Sequence, residues 1–178
     1  MVVTQEVHSL LKGVDLFASL SDEELLQIAM VTSFRTFKRD ETIILERDDS
    51  IKALYIVADG DVQVYLTGPD GRETILSLLS RGDFFGELSL LDGDPRSASV
   101  RAVSDCRVLV LMRQDFLKLL DAKPSLVRTL LAELSKRLRR ANKQISSLSS
   151  MSVCGRVAGT IWLLPKNAAC ARLLKMAS

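Results

Sequence analysis

Three regimes of hydrophobic patterning follow one another along the 178 residues. Over residues 4–31 apolar side chains recur at helical spacing, with Leu25, Ile28 and Ala29 on one face. Ser21, followed three residues later by Glu24, predicts a capping box and a helix start. From Phe34 to Met112 the apolar positions gather into short runs rich in Val, Ile, Leu, Thr and Tyr, at residues 42–45, 54–57, 62–66, 74–78 and 108–111. Gly60, Gly71, Gly82 and Gly93 punctuate these runs about eleven positions apart, a spacing typical of short antiparallel strands. Asp59-Gly60 and Asp70-Gly71 predict tight hairpins, because glycine accepts positive φ. This stretch therefore predicts a small antiparallel barrel or sandwich.

Pro124 opens the third regime, a long helix running to about Ser150, with proline suited to a first turn. Leu126 and Leu130 fall on one side, turned toward the β-region. Val127, Leu131, Leu134, Leu138, Ala141, Ile145 and Leu148 follow with gaps of four and three in strict alternation. That rhythm is a coiled-coil seam over about three heptads and implies a homodimer. A helix packed on its own domain is the alternative that the pattern leaves open. The serine-rich stretch 146–150 has poor helix propensity and marks a hinge. Beyond it, residues 153–164 can form another helix before Pro165, and the tail is short and alanine-rich.

With 47% hydrophobic residues the chain can bury one substantial core, or one domain with an appendage. Its 24 basic and 22 acidic residues nearly balance, so the molecule as a whole is no obvious polyanion binder. The basic run Lys136, Arg137, Arg139, Arg140 and Lys143 reads as a solvated face beside the apolar seam. No apolar run approaches the roughly 18–20 residues of a membrane span, and residues 1–13 lack the pattern of a secretory signal. Three cysteines, Cys106, Cys154 and Cys170, show no metal-like spacing, and Cys106 reads as a small buried hydrophobe. These features point to the cytoplasm, with no metal and no cofactor expected.

Candidate chemistry concentrates in residues 84–100, Phe-Phe-Gly-Glu-Leu-Ser-Leu-Leu-Asp-Gly-Asp-Pro-Arg-Ser-Ala-Ser-Val. The segment begins as a strand, tightens at Gly86, opens a short apolar helical turn and returns through Pro95 and Arg96 into a second strand. Backbone N–H groups at a helix start behind a glycine suit a phosphate. Glu87 can accept from sugar hydroxyls, and Arg96 offers a planar five-donor fork for a phosphate. Leu88 completes the turn, Ser89 and Ser97 are hydroxyl donors to phosphate oxygens, and Ser97 is the stronger of the two. Together these groups describe a pocket for a small, singly charged phosphate ester with a free ribose hydroxyl.

The F-G-E-L-S-L-L and P-R-S-A-S-V halves of this segment resemble the phosphate-binding cassette of cyclic-nucleotide-binding domains, found in Crp–Fnr regulators and in regulatory subunits of cyclic-AMP-dependent kinase. The similarity runs from roughly Leu16 to Leu164. It implies an α+β fold: an antiparallel β-roll of the jelly-roll type with flanking helices and a long C-terminal dimerisation helix. It implies a ligand site of Gly86, Glu87, Leu88, Ser89, Arg96, Ser97 and Asn142, the last reading a purine edge. The effector is expected to be cyclic AMP, with cyclic GMP left open by Ala141, where a hydroxyl residue stands in the best-known cyclic-AMP-responsive activator. An iron–sulphur sensor needs several cysteines near the N-terminus, and none precedes Cys106. A haem sensor needs axial ligands, and the single histidine, His8, falls in the first helix. No nucleophile with a base and no paired carboxylates suggest an enzyme.

The resulting organisation is a β-roll with N-terminal helices over residues 1–122, a dimerisation helix over 123–150, and over 151–178 a hinge with an incomplete start of a winged-helix DNA-binding domain. Residues 151–158 resemble that start, and the 23 residues after Gly155 are too few for a complete winged domain. DNA is thus an expected partner only of a longer form. The functional expectation is a cyclic-nucleotide-sensing effector domain of a Crp–Fnr-type regulator. The alternatives are a stand-alone module acting through a protein partner and a relative that has lost its ligand.

Overall fold

The computed structural model describes residues 2–48 and 50–150, with side chains between residues 4 and 146. The chain divides into two compact units, Met1–Leu130 and Leu131–Ser178. The first opens with helix α1 (Val2–Lys12) and a single 3-10 turn at Asp15–Phe17, then α2 (Asp22–Met30). The expected helical stretch is therefore two helices broken around Gly13. Ser21 and Glu24 form the anticipated box, Ser21 Oγ accepting from the Glu24 N–H and Glu24 accepting from the Ser21 N–H at 2.8 Å.

Among the described residues eight strands follow, interrupted once by a helical turn: β1 (Thr32–Phe37), β2 (Thr42–Ile44), β3 (Ala53–Asp59), β4 (Val62–Thr67), β5 (Glu73–Leu79), β6 (Phe84–Phe85), β7 (Ser99–Ala102) and β8 (Cys106–Met112). The turn between β6 and β7 is α3 (Leu88–Leu91). They form two four-stranded antiparallel sheets, ordered β1-β8-β3-β6 and β2-β7-β4-β5, which is the expected β-roll. Between the sheets lies a core of Tyr55, Val57, Val62, Phe85, Val100, Val108 and Val110 among others.

Strands β3 and β8 are buried almost throughout rather than on alternate residues. Ala53, Tyr55 and Val57 point into the inter-sheet core. With a period of two, Leu54 and Ile56 take the opposite face, and they too are completely buried. The helices cover that second face, with α4 (Arg113–Ala122) packing on both β3 and β8. Phe116, Leu126 and Leu130 are buried in this unit, so the first turns of α5 (Pro124–Ser150) face inward as expected.

One turn departs from the sequence reading. Asp70-Gly71 joins the paired strands β4 and β5 as a hairpin. Asp59-Gly60 instead links β3 to β4, which lie in different sheets. Its glycine is required by packing: at φ +78 a Cβ would stand 2.5 Å from the Asp105 carbonyl oxygen and 2.7 Å from Cys106 Cβ. Cys106 is a buried free thiol, pushed up to about 11 by desolvation and then by nearby carboxylates.

In the second unit α5 runs through Ser150, as the sequence predicts, so the serine-rich stretch 146–150 belongs to the helix. Helical continuity outweighs the weak propensity of serine there. The expected winged-domain start over 151–178 lies outside the described residues. Leu131, Leu138 and Ile145, three of the expected seam positions, are 57%, 63% and 64% exposed. The side chain of Leu148 is outside the described set. Among the described residues no helix is long and apolar enough to cross a membrane.

Candidate ligand-binding site

The 84–100 segment folds onto the edge of β3. Tyr55 and Ile56 pair with Phe85 and Phe84 across the sheet, and the Tyr55 and Phe85 rings stack with centroids 5.2 Å apart. The chain then turns at Gly86, whose φ of +83 is left-handed. A Cβ there would stand 2.8 Å from Arg96 Nη1 and 3.1 Å from the Ala53 carbonyl oxygen. Glycine is thus needed so that the arginine and strand β3 can close on it, beyond any need of a ligand's approach.

Arg96 is 5% exposed and its guanidinium holds three strands of chain together. Nη1 donates to the Gly86 carbonyl at 2.8 Å, and Nη2 donates to the carbonyls of Ile51 and Ala53. The guanidinium carbon also stands 5.9 Å from the centre of the Tyr55 ring. Burial pushes the Tyr55 phenol up, with the Arg96 charge opposing. Backbone bonds close the far side, where the Arg47 N–H donates to the Arg96 carbonyl at 2.8 Å.

Glu87, 3% exposed, stands directly before α3 in helical conformation. Its carbonyl accepts from the N–H groups of Leu90 and Leu91, which starts the turn. Arg113 Nε donates to the Leu90 carbonyl at 3.1 Å and anchors the turn to the start of α4. Ser89 is 4% exposed, and its hydroxyl has no hydrogen-bond partner among the described residues. A buried hydroxyl without a partner costs about 1–3 kcal/mol, so a ligand atom able to complete it would bind with that advantage.

Six of the seven expected site residues therefore fall in the 84–100 segment, where Glu87, Ser89 and Arg96 are buried and Leu88 is 43% exposed. Ser97 lies in a bend ahead of β7 and is exposed. The buried serine of that stretch is Ser99, whose Oγ accepts from the Glu46 N–H at 2.9 Å. Asn142 is exposed on α5 in the second unit. Sequence reasoning passed over Tyr55 and the carbonyls of Ile51 and Ala53, about forty residues upstream of Arg96, because only the β3–β6 pairing brings them there. Among the described residues no group of three or more metal-binding side chains assembles.

Comparison with known proteins agrees with this geometry. Residues 34–123 match the cyclic nucleotide-binding domain family. A cyclic AMP receptor protein of Thermus thermophilus is 38% identical over 148 residues, which is 83% of this chain and 68% of the relative. A cAMP-activated global transcriptional regulator of Pasteurella multocida is 35% identical over 127 residues, 71% of this chain and 61% of the relative. The crystal structure of the Thermus thermophilus catabolite activator protein superposes with a TM-score of 0.67 at 38% identity, covering 76% of this chain and 63% of that one. With its eight-strand roll, its glycine-arginine cassette and these relatives, the chain belongs to the Crp–Fnr family and carries a cyclic nucleotide-binding domain.

Proposed function

We propose that the first unit binds cyclic AMP and that the chain senses this nucleotide for a Crp–Fnr-type transcription regulator in the cytoplasm. The observation that carries the reading is the burial of two ionisable side chains, Glu87 and Arg96, about a left-handed glycine. Hydrogen bonds to the carbonyls of Gly86, Ile51 and Ala53 hold the guanidinium in place beside the turn. A phosphodiester suits the guanidinium fork and the Ser89 hydroxyl, and a ribose hydroxyl suits Glu87. Ser97, Leu88 and the backbone of the turn complete the phosphate end. Asn142 as the reader of the base is carried by the family resemblance alone. Ligand would act by favouring one arrangement of the long helices of a homodimer paired through Val127, Leu131, Leu134, Leu138, Ala141, Ile145 and Leu148. Sequence-specific DNA binding belongs to a form with a complete winged-helix domain.

The test is calorimetric titration with cyclic AMP. Loss of one partner of a buried charge-assisted contact costs on the order of 2–5 kcal/mol, so Arg96→Ala should weaken binding by about 30-fold or more. Arg72→Ala, at an exposed ion pair with Asp70, should bind as the wild type does. Because Arg96 also ties the backbone, Glu87→Gln is measured alongside it, with melting curves for each. Wild-type affinity in both folded variants would remove the two residues from the site.

A further inference from the structure

The second unit carries a charged surface that nucleotide binding does not use. Within α5, Lys136, Arg139, Arg140 and Lys143 fall on one arc of the helix at 3.6 residues per turn, roughly opposite the Leu131, Leu134, Leu138, Ala141 and Ile145 seam. All four are exposed. Glu133 takes Lys136 at 3.1 Å and also stands near Arg137, while Arg139, Arg140 and Lys143 have no carboxylate partner among the described residues. Glu133 is the sole acidic residue of α5, against six basic ones.

We propose that this face is a sequence-independent contact for the phosphate backbone of duplex DNA. It goes beyond the nucleotide reading and does not depend on it. The four cations span about 10 Å of helix at 1.5 Å per residue. Over that length duplex DNA presents about six phosphate charges, at one per ~1.7 Å. Two of the cations are arginines, whose forks bind phosphate oxygens bidentately. The arc contains no large apolar or aromatic side chain to anchor a protein partner, whose interface core would require one. A phosphate backbone requires none. The face lies away from the seam, so pairing of two α5 helices leaves it outward and gives a dimer two such surfaces.

The experiment is fluorescence anisotropy of a labelled random-sequence 30-base-pair duplex with the whole chain, across a series of salt concentrations. With four phosphates neutralised, log K against log salt should fall with a slope near −3.6, at about −0.9 per contact. The double substitution Arg139→Gln with Arg140→Gln should lower affinity at least tenfold and reduce the slope by about 1.8. Circular dichroism and cyclic AMP titration of the same variant should match wild type, since neither residue belongs to the cassette. Failure of wild-type nucleotide binding with duplex binding intact would sink the nucleotide reading alone. Unchanged duplex affinity and slope in the variant would overturn this inference. So would preference for polyglutamate or for anionic phosphatidylserine vesicles over duplex, each assigning the face to a different partner.

Discussion

Gly86→Ala, set against Gly71→Ala, separates the strain of a left-handed backbone from the cost of disturbing Arg96. The two glycines have nearly the same φ, +83 and +78. At Gly71 an added Cβ meets nothing within 4 Å. Its substitution should therefore cost the conformational penalty alone, about 1–2 kcal/mol. At Gly86 the same Cβ lands 2.8 Å from Arg96 Nη1 and 3.1 Å from the Ala53 oxygen. The guanidinium must shift, and its bond to the Gly86 carbonyl is lost or badly stretched. A hydrogen bond to a charged group contributes about 1.5–3 kcal/mol, so the total for Gly86→Ala is roughly 3–5 kcal/mol. At roughly 4 °C per kcal/mol for a unit of this size, melting should fall roughly 4–8 °C for Gly71→Ala and 12–20 °C for Gly86→Ala. Calorimetric titration should then show cyclic AMP affinity intact in Gly71→Ala and at least tenfold weaker in Gly86→Ala. Equal melting and equal affinity in the two variants would refute the idea that Gly86 exists to seat the arginine.

Two further outcomes test other levels of the account. Leu138→Glu places charge in the centre of the seam, where two copies would bury like charges against each other, so sedimentation should give monomers and a dimer would mean the seam is wrongly placed. The hydrogen bond from Lys123, with those from Ser21, holds the Glu24 carboxyl down to about 2 from an ordinary 4.5. Because the folded value is the lower one, this contribution is complete above about pH 4.5 and is lost as pH falls toward 2, so acid unfolding of Glu24→Gln should be less steep in that window.

The fold was legible where local pattern and tertiary context agree. Ser21 and Glu24 mark the start of α2 from sequence because a capping box needs only four residues and their own backbone. Most of the strands appear as apolar runs, but β1 (Thr32–Phe37) does not, since its half-exposed alternation with threonine and arginine carries little hydrophobic signal. Asp59-Gly60 looked like a hairpin because dipeptide chemistry reports backbone conformation and not which sheet the next strand joins. Ser146–Ser150 closes α5 despite its poor propensity, because a helix already propagating carries weak formers at little cost.

The cassette was legible because its residues are contiguous, and a glycine, an acid and an arginine at fixed spacing state their chemistry directly. Its support was not. Tyr55 sits inside an apolar run where an aromatic is unremarkable, and nothing local joins it to Arg96. Ser97 and Ser99 alternate in sequence, yet the strand begins at Ser99, leaving Ser97 in the bend and turning Ser99 to the Glu46 backbone. The apolar stripe of α5 was readable from its spacing, and Leu131, Leu138 and Ile145 are exposed along it.

Whether the guanidinium of Arg96 and the turn around Gly86 receive the phosphate of a cyclic nucleotide is open to a direct measurement. Titrating the wild-type protein in a calorimeter with cyclic AMP, 5′-AMP and adenosine tests it without any substitution. Saturable binding of cyclic AMP is expected, one per chain, with adenosine weaker by about 30-fold or more because the buried charge-assisted contact, on the order of 2–5 kcal/mol, is absent. Should adenosine bind as tightly as cyclic AMP, or should the folded protein bind no cyclic nucleotide, the claim is contradicted.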